Sequence, residues 1–398
     1  MTQAFTIFGR QPQLGLAELE SLFGAQAVQP IGNVAALLDI EPGLVNFARL
    51  GGIVKFGKLL TILDTTNWRD IESFLLEAIP SHAAMLESGK LRLGLSAYQL
   101  HVAPKDLMTT GLRVKKALKA TGRSARLIPN TMPMLNSAQV LHNHLTSSLG
   151  WELLFVRHGD KTYVGQSIAV QDIEAYGARD HGRPKRDAKV GMLPPKLAQI
   201  IINLTNPEPA STVLDPFCGT GVILQESLLM GLHAYGSDIE PRMIAYSQAN
   251  LDWLTQTTYF KQVCSPDTQP KTSIKLELAD ATEYKWSQFD AIACETYLGR
   301  AFSALPKPEV LEKVIQDVDT IHKNFLKNVA YQTKSGFKMT IAVPAWQTGN
   351  NFRHLPTLDH LEELGYTRSV FERADKEDLI YHREGQIVGR ELVVLTRK

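Results

Sequence analysis

The sequence predicts a doubly wound α/β domain in its C-terminal half, closed by an antiparallel last strand and preceded by an α+β region. Three observations support this. From Ser211 onward, short apolar runs alternate with helix-length runs, the pattern of parallel strands joined by crossover helices. A glycine pair, Gly219 and Gly221, sits where the first of those strands gives way to a helix. The final apolar runs, YTRSVFERA and QIVGRELVVLT, are joined without a helix, so the last strand should return antiparallel through a hairpin.

Taken in order, AFTIFG reads as a strand, LGLAELESLFG as a helix closed by Gly24, and VAALLDI and GGIVKFGKLLTIL as further strands, giving an N-terminal α/β unit over 1–60. Residues 61–170 repeat the mixture: a helix through IESFLLEAI, a strand in LRLGLSAY, a long basic helix, and the hairpin ELLFVRHGDKTYVGQSIAV turning at His158, Gly159 and Asp160. Residues 171–190 are polar and charged and are expected to form a linker. The domain over 191–398 opens with GMLPPKLAQIIINL, whose Pro194 and Pro195 suit the first turn of a helix. Strands in TVLD, HAYGSD, IKLELAD, FDAIACE and KMTIAVP follow, with a helix expected over 308–331.

Composition narrows the function classes. With 398 residues and 44% hydrophobic residues the chain can bury two or three cores, as an ordinary soluble enzyme does. Its three cysteines, Cys218, Cys264 and Cys294, form no CxxC pair, so neither a disulfide framework nor a metal centre is expected, and a cytoplasmic location fits. No secretory leader or membrane-length apolar run is evident. A net charge of +1 means that any nucleic-acid binding must come from local basic clusters.

The most informative segment is VLDPFCGTG, with Asp215, Pro216, Phe217, Gly219, Thr220 and Gly221 leaving a strand and opening a helix. Glycines there let the backbone approach a ligand closely. The third glycine of a dinucleotide site is replaced by Leu224, which disfavours nicotinamide binding. Asp215 is instead suited to a cationic group, such as the amino group of methionine. Asp238, followed by Ile239, ends the next strand and could accept ribose hydroxyls, and Asp280 ends the third and could receive an adenine amine. Any one of these aspartates fits a turn or cap equally well. Three at successive strand ends, beside the glycine pair, point to a ligand.

DPFCGTGVILQESLLMG and GSDIEPRMIAYSQANL resemble the cofactor half of the RNA guanine-N2 methyltransferases related to the tRNA guanosine-10 enzymes. Upstream, IFGRQPQLGLAELESLFG, LNSAQVLHNHL, VGQSIAVQDIEAY and RDHGRPKRDAKVGMLPPKLAQIIINL resemble the family's N-terminal segment, THUMP region and linker, so the likeness covers nearly the whole chain. It implies a class I, Rossmann-like methyltransferase sheet behind a THUMP-containing region, S-adenosyl-L-methionine as cofactor, and tRNA as partner. The family usually carries Asp/Asn-Pro-Pro-Tyr/Phe after its fourth strand. This chain reads Glu295-Thr296-Tyr297-Leu298 there. Glu295 and the Thr296 carbonyl can accept the hydrogens of an exocyclic amine, and Tyr297 can stack on a flipped base, though it holds the third position and neither proline is present. Three alternatives stay open: another RNA nucleotide or rRNA, cytosine-C5 chemistry through Cys294, and an RNA-binding protein that keeps the cofactor fold without catalysis.

For RNA, the stretch from Lys105 to Arg126 supplies Arg113, Lys115, Lys116, Lys119, Arg123 and Arg126 against the single acid Asp106. Read as one helix, it places Lys115, Lys119 and Arg126 near a common face for phosphate, with Lys116 and Arg123 beside them. The linker adds Arg179, Arg183, Lys185, Arg186 and Lys189, diluted by Asp180 and Asp187, for which an interdomain salt-bridge role fits nearly as well.

Overall fold

The computed structural model describes residues 2–187, 192–263, 272–300, 302, 304, 306–349, 351–375 and 379–398; Lys189 and Cys264 fall outside them. The chain forms two compact units: Met1–Leu16, Gln26–Ala48 and Ile53–Ile173 in the first, Ala17–Ala25, Arg49–Gly52 and Glu174–Lys398 in the second.

In the N-terminal portion the elements are β1 (Ala4–Phe8), α1 (Pro12–Phe23), β2 (Val28–Ile31), β3 (Ala35–Leu38), β4 (Ile53–Leu63), α2 (Trp68–Ala83), β5 (Leu91–Tyr98), α3 (Pro104–Ala120), β6 (Ala125–Leu127), α4 (Ser137–His142), β7 (Gly150–His158) and β8 (Lys161–Val170). Their strands make one mixed sheet in the order β2-β3-β1-β4-β8-β7-β5-β6. The β7–β8 hairpin pairs His158 with Lys161, so Gly159 and Asp160 form the turn. Helices α2 and α3 bury Ile71, Leu75 and Ile79 and Leu107, Val114 and Leu118 against β5 and β7, spacings that put each set on one helix face. Each such side chain contributes about 1.5–3 kcal/mol through burial. Inside this unit Lys55 pairs with Glu152, whose carboxylate also accepts from Ser96 Oγ (2.6 Å) and Ser167 Oγ (2.5 Å). Burial alone would disfavour both charges, and the pairing offsets that cost.

The basic helix is shorter than its composition suggests. α3 ends at Ala120, because Thr121 caps it and Gly122 turns the chain with φ +80°, a conformation open to glycine. Arg123 follows in the turn and Arg126 lies on β6, an edge strand, so neither shares a helix face with Lys115 or Lys119.

The second unit contains α5 (Ile173–Gly177), α6 (Pro195–Thr205), β9 (Thr212–Asp215), α7 (Val222–Leu229), β10 (His233–Asp238), α8 (Pro241–Gln256), α9 (Thr258–Val263), β11 (Ile274–Leu278), β12 (Ala291–Glu295), α10 (Pro308–Gln332), β13 (Lys338–Thr348), β14 (Asn351–Arg353), β15 (Tyr366–Arg368), β16 (Ile380–Tyr381) and β17 (Val388–Arg397). The sheet runs β11-β10-β9-β12-β13-β17-β15, parallel from β11 to β13, with β17 inserted antiparallel between β13 and β15. The last strand thus runs as its sequence implies, but its approach is no tight hairpin. Arg368 pairs with Leu395, so β17 extends from Val388 to Val394 beyond the end of β15, and the chain must travel that length first, pairing β16 with β17 on the way.

Of the polar segment expected as a linker, residues 173–182 are helical. α5 continues into a π-helical turn at Ala178–Gly182, and Arg179 is buried in an ion pair with Glu226 (2.7 Å), its guanidinium lying over the rings of Tyr176 and Tyr259. A charged segment can pack when its charge meets a buried partner in this way. Among the described residues, no helix is long and apolar enough to cross a membrane.

Candidate active site

The strand order reverses direction between β9 and β12, and a crevice opens beyond the carboxyl ends of strands at such a switch point. In this unit it is a cavity of about 1030 Å³. Asp215, Pro216, Phe217, Gly219 and Thr220 from the first strand end line it, with Asp238 and Ile239 from the second, Asp280 from the third, and Glu295, Thr296 and Tyr297 from the fourth. Of the residues singled out for this site, Gly221 alone is not in the wall.

Gly219 and Gly221 both adopt left-handed backbone, at φ +50° and +81°. A side chain on Gly221 would meet Ser247 Oγ at 2.9 Å, so its part is to let the loop lie on α8. Two α8 side chains hold the loop there: Ser247 Oγ donates to the Gly219 carbonyl (2.9 Å) and Asn250 Nδ2 to the Thr220 carbonyl (2.8 Å). Asn250 also bonds the backbone of Lys185, at both its N–H and its carbonyl.

Each strand-end aspartate bends the chain after it and still faces the cavity. Asp215 Oδ1 accepts from Phe217 N (3.1 Å), Asp238 Oδ1 from Glu240 N (2.9 Å), and Asp280 Oδ1 from Thr282 N (2.8 Å). Asp238 takes a second bond, from Gly219 N (2.9 Å), which ties the two loops together. Asp215 is 2% exposed. Burial first, then the negative charges of Asp238 and Glu295, push its carboxyl well above the usual carboxylate range, and burial raises Asp238 as well. A cavity with that excess of negative charge favours a cation.

The fourth strand end is held from a distance. Glu295 accepts a bond from Arg390 Nε on β17, and both side chains are largely buried. Thr296 N and Thr296 Oγ lie 3.0 Å from the Ala342 carbonyl, and Thr296 Oγ is 2.6 Å from His322 Nε2. Burial lowers His322 to about 4, so the ring is neutral at ordinary pH. Its Nδ1 faces the Val318 carbonyl at 2.8 Å and must carry the proton, which leaves Nε2 to accept the Thr296 hydroxyl. The Thr296 side chain is therefore committed to the fold, while Glu295 and the half-exposed Tyr297 ring face the cavity. Cys294 is fully buried in the core and its thiol is pushed well up by burial, so it supplies no thiolate.

Residues 183–300 match the family described as UPF0020, an RMKL-like methyltransferase domain. This segment is a UPF0020 methyltransferase domain. The chain is also 40% identical over 93 residues to the tRNA (guanine(10)-N2)-dimethyltransferase of Methanothermobacter thermautotrophicus, 23% of this chain and 27% of that protein. The corresponding enzyme of Pyrococcus abyssi is 30% identical over 177 residues, 44% of this chain and 43% of that one. The chain thus spans about a quarter to two fifths of these relatives, which are distant homologues. In fold, the whole chain is similar to TrmN from Thermus thermophilus, with a TM-score of 0.52 at 15% identity over 100% of both chains. It is likewise similar to SMU.472, solved complexed with SAH, with a TM-score of 0.51 at 13% identity over 100% of this chain and 97% of that one. The mixed N-terminal sheet followed by a methyltransferase-like sheet is therefore a known arrangement.

The basic residues divide. Lys115, Lys116 and Lys119 project from the exposed side of α3, whereas Arg113 pairs with Glu72, Arg123 Nη2 bonds the Glu87 carbonyl (2.6 Å), and Arg126 stands exposed on β6. In the methyltransferase domain Lys185 and Arg186 are exposed, and Lys185 Nζ lies 5.5 Å from the Tyr246 ring centre. Arg183 corrects the sequence expectation. It is 3% exposed and none of its three nitrogens has a hydrogen-bond partner among the described residues, so it presents no exposed charge to phosphate. The run Arg183-Pro184-Lys185-Arg186 looks basic in sequence whichever way its first arginine turns.

Sequence reasoning missed Ser247, Asn250, His322 and Arg390. The first two left a signal, because they share the apolar face of α8 with Leu251 and Leu254. So did Arg390, which sits beside Glu391 inside the apolar run VGRELVVLT.

Proposed function

We propose that this chain is an S-adenosyl-L-methionine-dependent RNA methyltransferase acting on N2 of a guanine in tRNA, at a position-10 type site. The observation that carries the proposal is the meeting, in one cavity, of the glycine loop and three strand-end carboxylates with Glu295, the Thr296 backbone and Tyr297. The residues fit that cofactor by their chemistry, since a cationic amino acid group would favour the carboxylate form of Asp215, which is buried with Asp238 and Glu295 near it. When bound, the cofactor supplies a methyl group on a sulfonium that needs no acid to leave.

The chain's own residues then bind and align. Asp215 takes the ammonium group, Asp238 the ribose hydroxyls and Asp280 the adenine amine, while Pro216, Phe217, Ile239 and the Gly219-Thr220-Gly221 turn shape the walls. Glu295 and the Thr296 carbonyl accept the two hydrogens of the guanine amine, Glu295 takes the proton the nitrogen gives up once methylated, and Tyr297 stacks on the base. Most of the acceleration comes from this alignment. The N-terminal region, THUMP-like by its resemblance, selects the RNA, with Arg113, Lys115, Lys116, Lys119, Arg123 and Arg126 for phosphates, and Lys185 and Arg186 add charge on the methyltransferase domain.

A second reading is an RNA-binding protein that keeps the cofactor fold without turnover; the departure of Glu295-Thr296-Tyr297-Leu298 from the family's acceptor tetrapeptide favours it. Incubation with labelled cofactor and unmodified tRNA, followed by nucleoside mass spectrometry, separates the two. N2-methylguanosine is expected. Another methylated nucleoside would reassign the acceptor, and RNA bound without label would favour the second reading.

A further inference from the structure

Arg390 is the one guanidinium bonded to the acceptor-side carboxylate among the described residues, yet it is not part of the cavity wall. It reaches Glu295 across an intervening strand. Glu295 is in register with Ala342 on β13, Ala342 with Leu392 on β17, and Arg390 lies two residues farther along β17, opposite Pro344. Its side chain is 7% exposed and that of Glu295 14%, so little water competes for the bond. The bond engages one carboxylate oxygen, Oε1, and the Glu295 residue lines the cavity. The backbone after Glu295 carries no proline to stiffen it, and Thr296 is pinned by Ala342 and His322.

We infer that Arg390 is a positioning residue: it fixes the rotamer of Glu295 so that the second carboxylate oxygen points at the acceptor amine. This deepens the methyltransferase reading and rests on it. Arg390 touches neither cofactor nor base. A long flexible side chain held by one charge-assisted bond from a buried guanidinium is pre-organised, as a catalytic group must be. The adjacent Glu391 does not compete for Arg390, since it points to the other face of β17, where it pairs with His354 and Arg368.

The test compares Arg390→Met, Arg390→Lys, Glu295→Gln and the double variant Glu295→Gln/Arg390→Met. Arg390→Met should lower kcat for methyl transfer to tRNA on the order of 100-fold, the cost of a misplaced group, with KM for tRNA and the Kd for the demethylated cofactor each within about threefold. Arg390→Lys, which keeps the charge, should recover part of the loss and carries the comparison should the methionine variant not fold. The double variant should be no slower than Glu295→Gln alone. Unchanged kcat in Arg390→Met, or losses that multiply in the double variant, would overturn the inference. Crystal structures of the wild type and the arginine variants decide without any turnover: Glu295 should lose its single orientation, and an unmoved Glu295 carboxylate would also overturn it. A wild type inactive on tRNA, with Glu295 reoriented in the variants, would sink the tRNA reading and leave the positioning role standing.

Discussion

The two ends of the cavity are built differently. At the glycine-loop end, each aspartate is oriented by a bond to a backbone N–H two residues later, as at Asp215, Asp238 and Asp280. At the acceptor end, Glu295 depends on Arg390, 95 residues away, and Thr296 on His322 and Ala342, 26 and 46 residues away. Local bonds need only the turn to form. Long-range bonds need the sheet assembled, with β17 already inserted beside β13. The donor end of such a site is therefore set by short motifs, and the acceptor end by whatever the distant strands present to it.

If the ends are separable, substitutions should split binding from turnover. The largest effect is expected at Asp215, where Asp215→Ala should abolish binding of the cofactor by calorimetry, a loss of roughly 3 kcal/mol or more for removing the counter-charge of a buried cation. Next, Glu295→Ala should lower kcat on the order of 100-fold and leave cofactor affinity unchanged. Full activity in that variant would remove the acceptor role from Glu295.

Acidity offers a third split. A cationic ligand requires Asp215 as the carboxylate, and burial has raised its pKa, so affinity should fall as pH drops through that raised range, at higher pH than an ordinary aspartate would allow. Affinity flat from pH 7 to pH 4 would contradict the assignment. The same logic with the sign reversed applies to stability at Glu18, which lies outside the cavity. Burial raises its carboxyl from 4.5 to about 7, despite bonds from Gly51, Gly52 and Asn203. Its contribution is fully present below pH 4.5 and lost as pH rises through 7, on the order of 3 kcal/mol in all. Glu18→Gln should flatten that part of the unfolding profile measured by denaturant titration. The smallest effect is expected from Thr296→Val, which leaves His322 Nε2 without its donor and should cost about 1–3 kcal/mol of stability with little change in cofactor affinity.

The same contrast explains what the sequence could tell. The alternation of strands and helices, the antiparallel last strand and the glycine loop are encoded within short windows, and so are turns of the kind that Asp215 makes. Arg390 was hidden because its partner is named only by strand order. Arg183 was misread for the opposite reason: a basic run carries no mark of which side chain turns inward. The basic helix was overextended because lysines and arginines favour helix on both sides of Thr121-Gly122, and only the glycine's left-handed backbone marks the stop.

The most direct measurement is calorimetric titration of the folded, full-length chain with S-adenosyl-L-homocysteine. Uptake of one equivalent, lost in Asp215→Ala and retained in Glu295→Ala, is the predicted result. No heat and no saturation with well-folded wild-type protein would contradict the assignment of the cavity to the methyl donor.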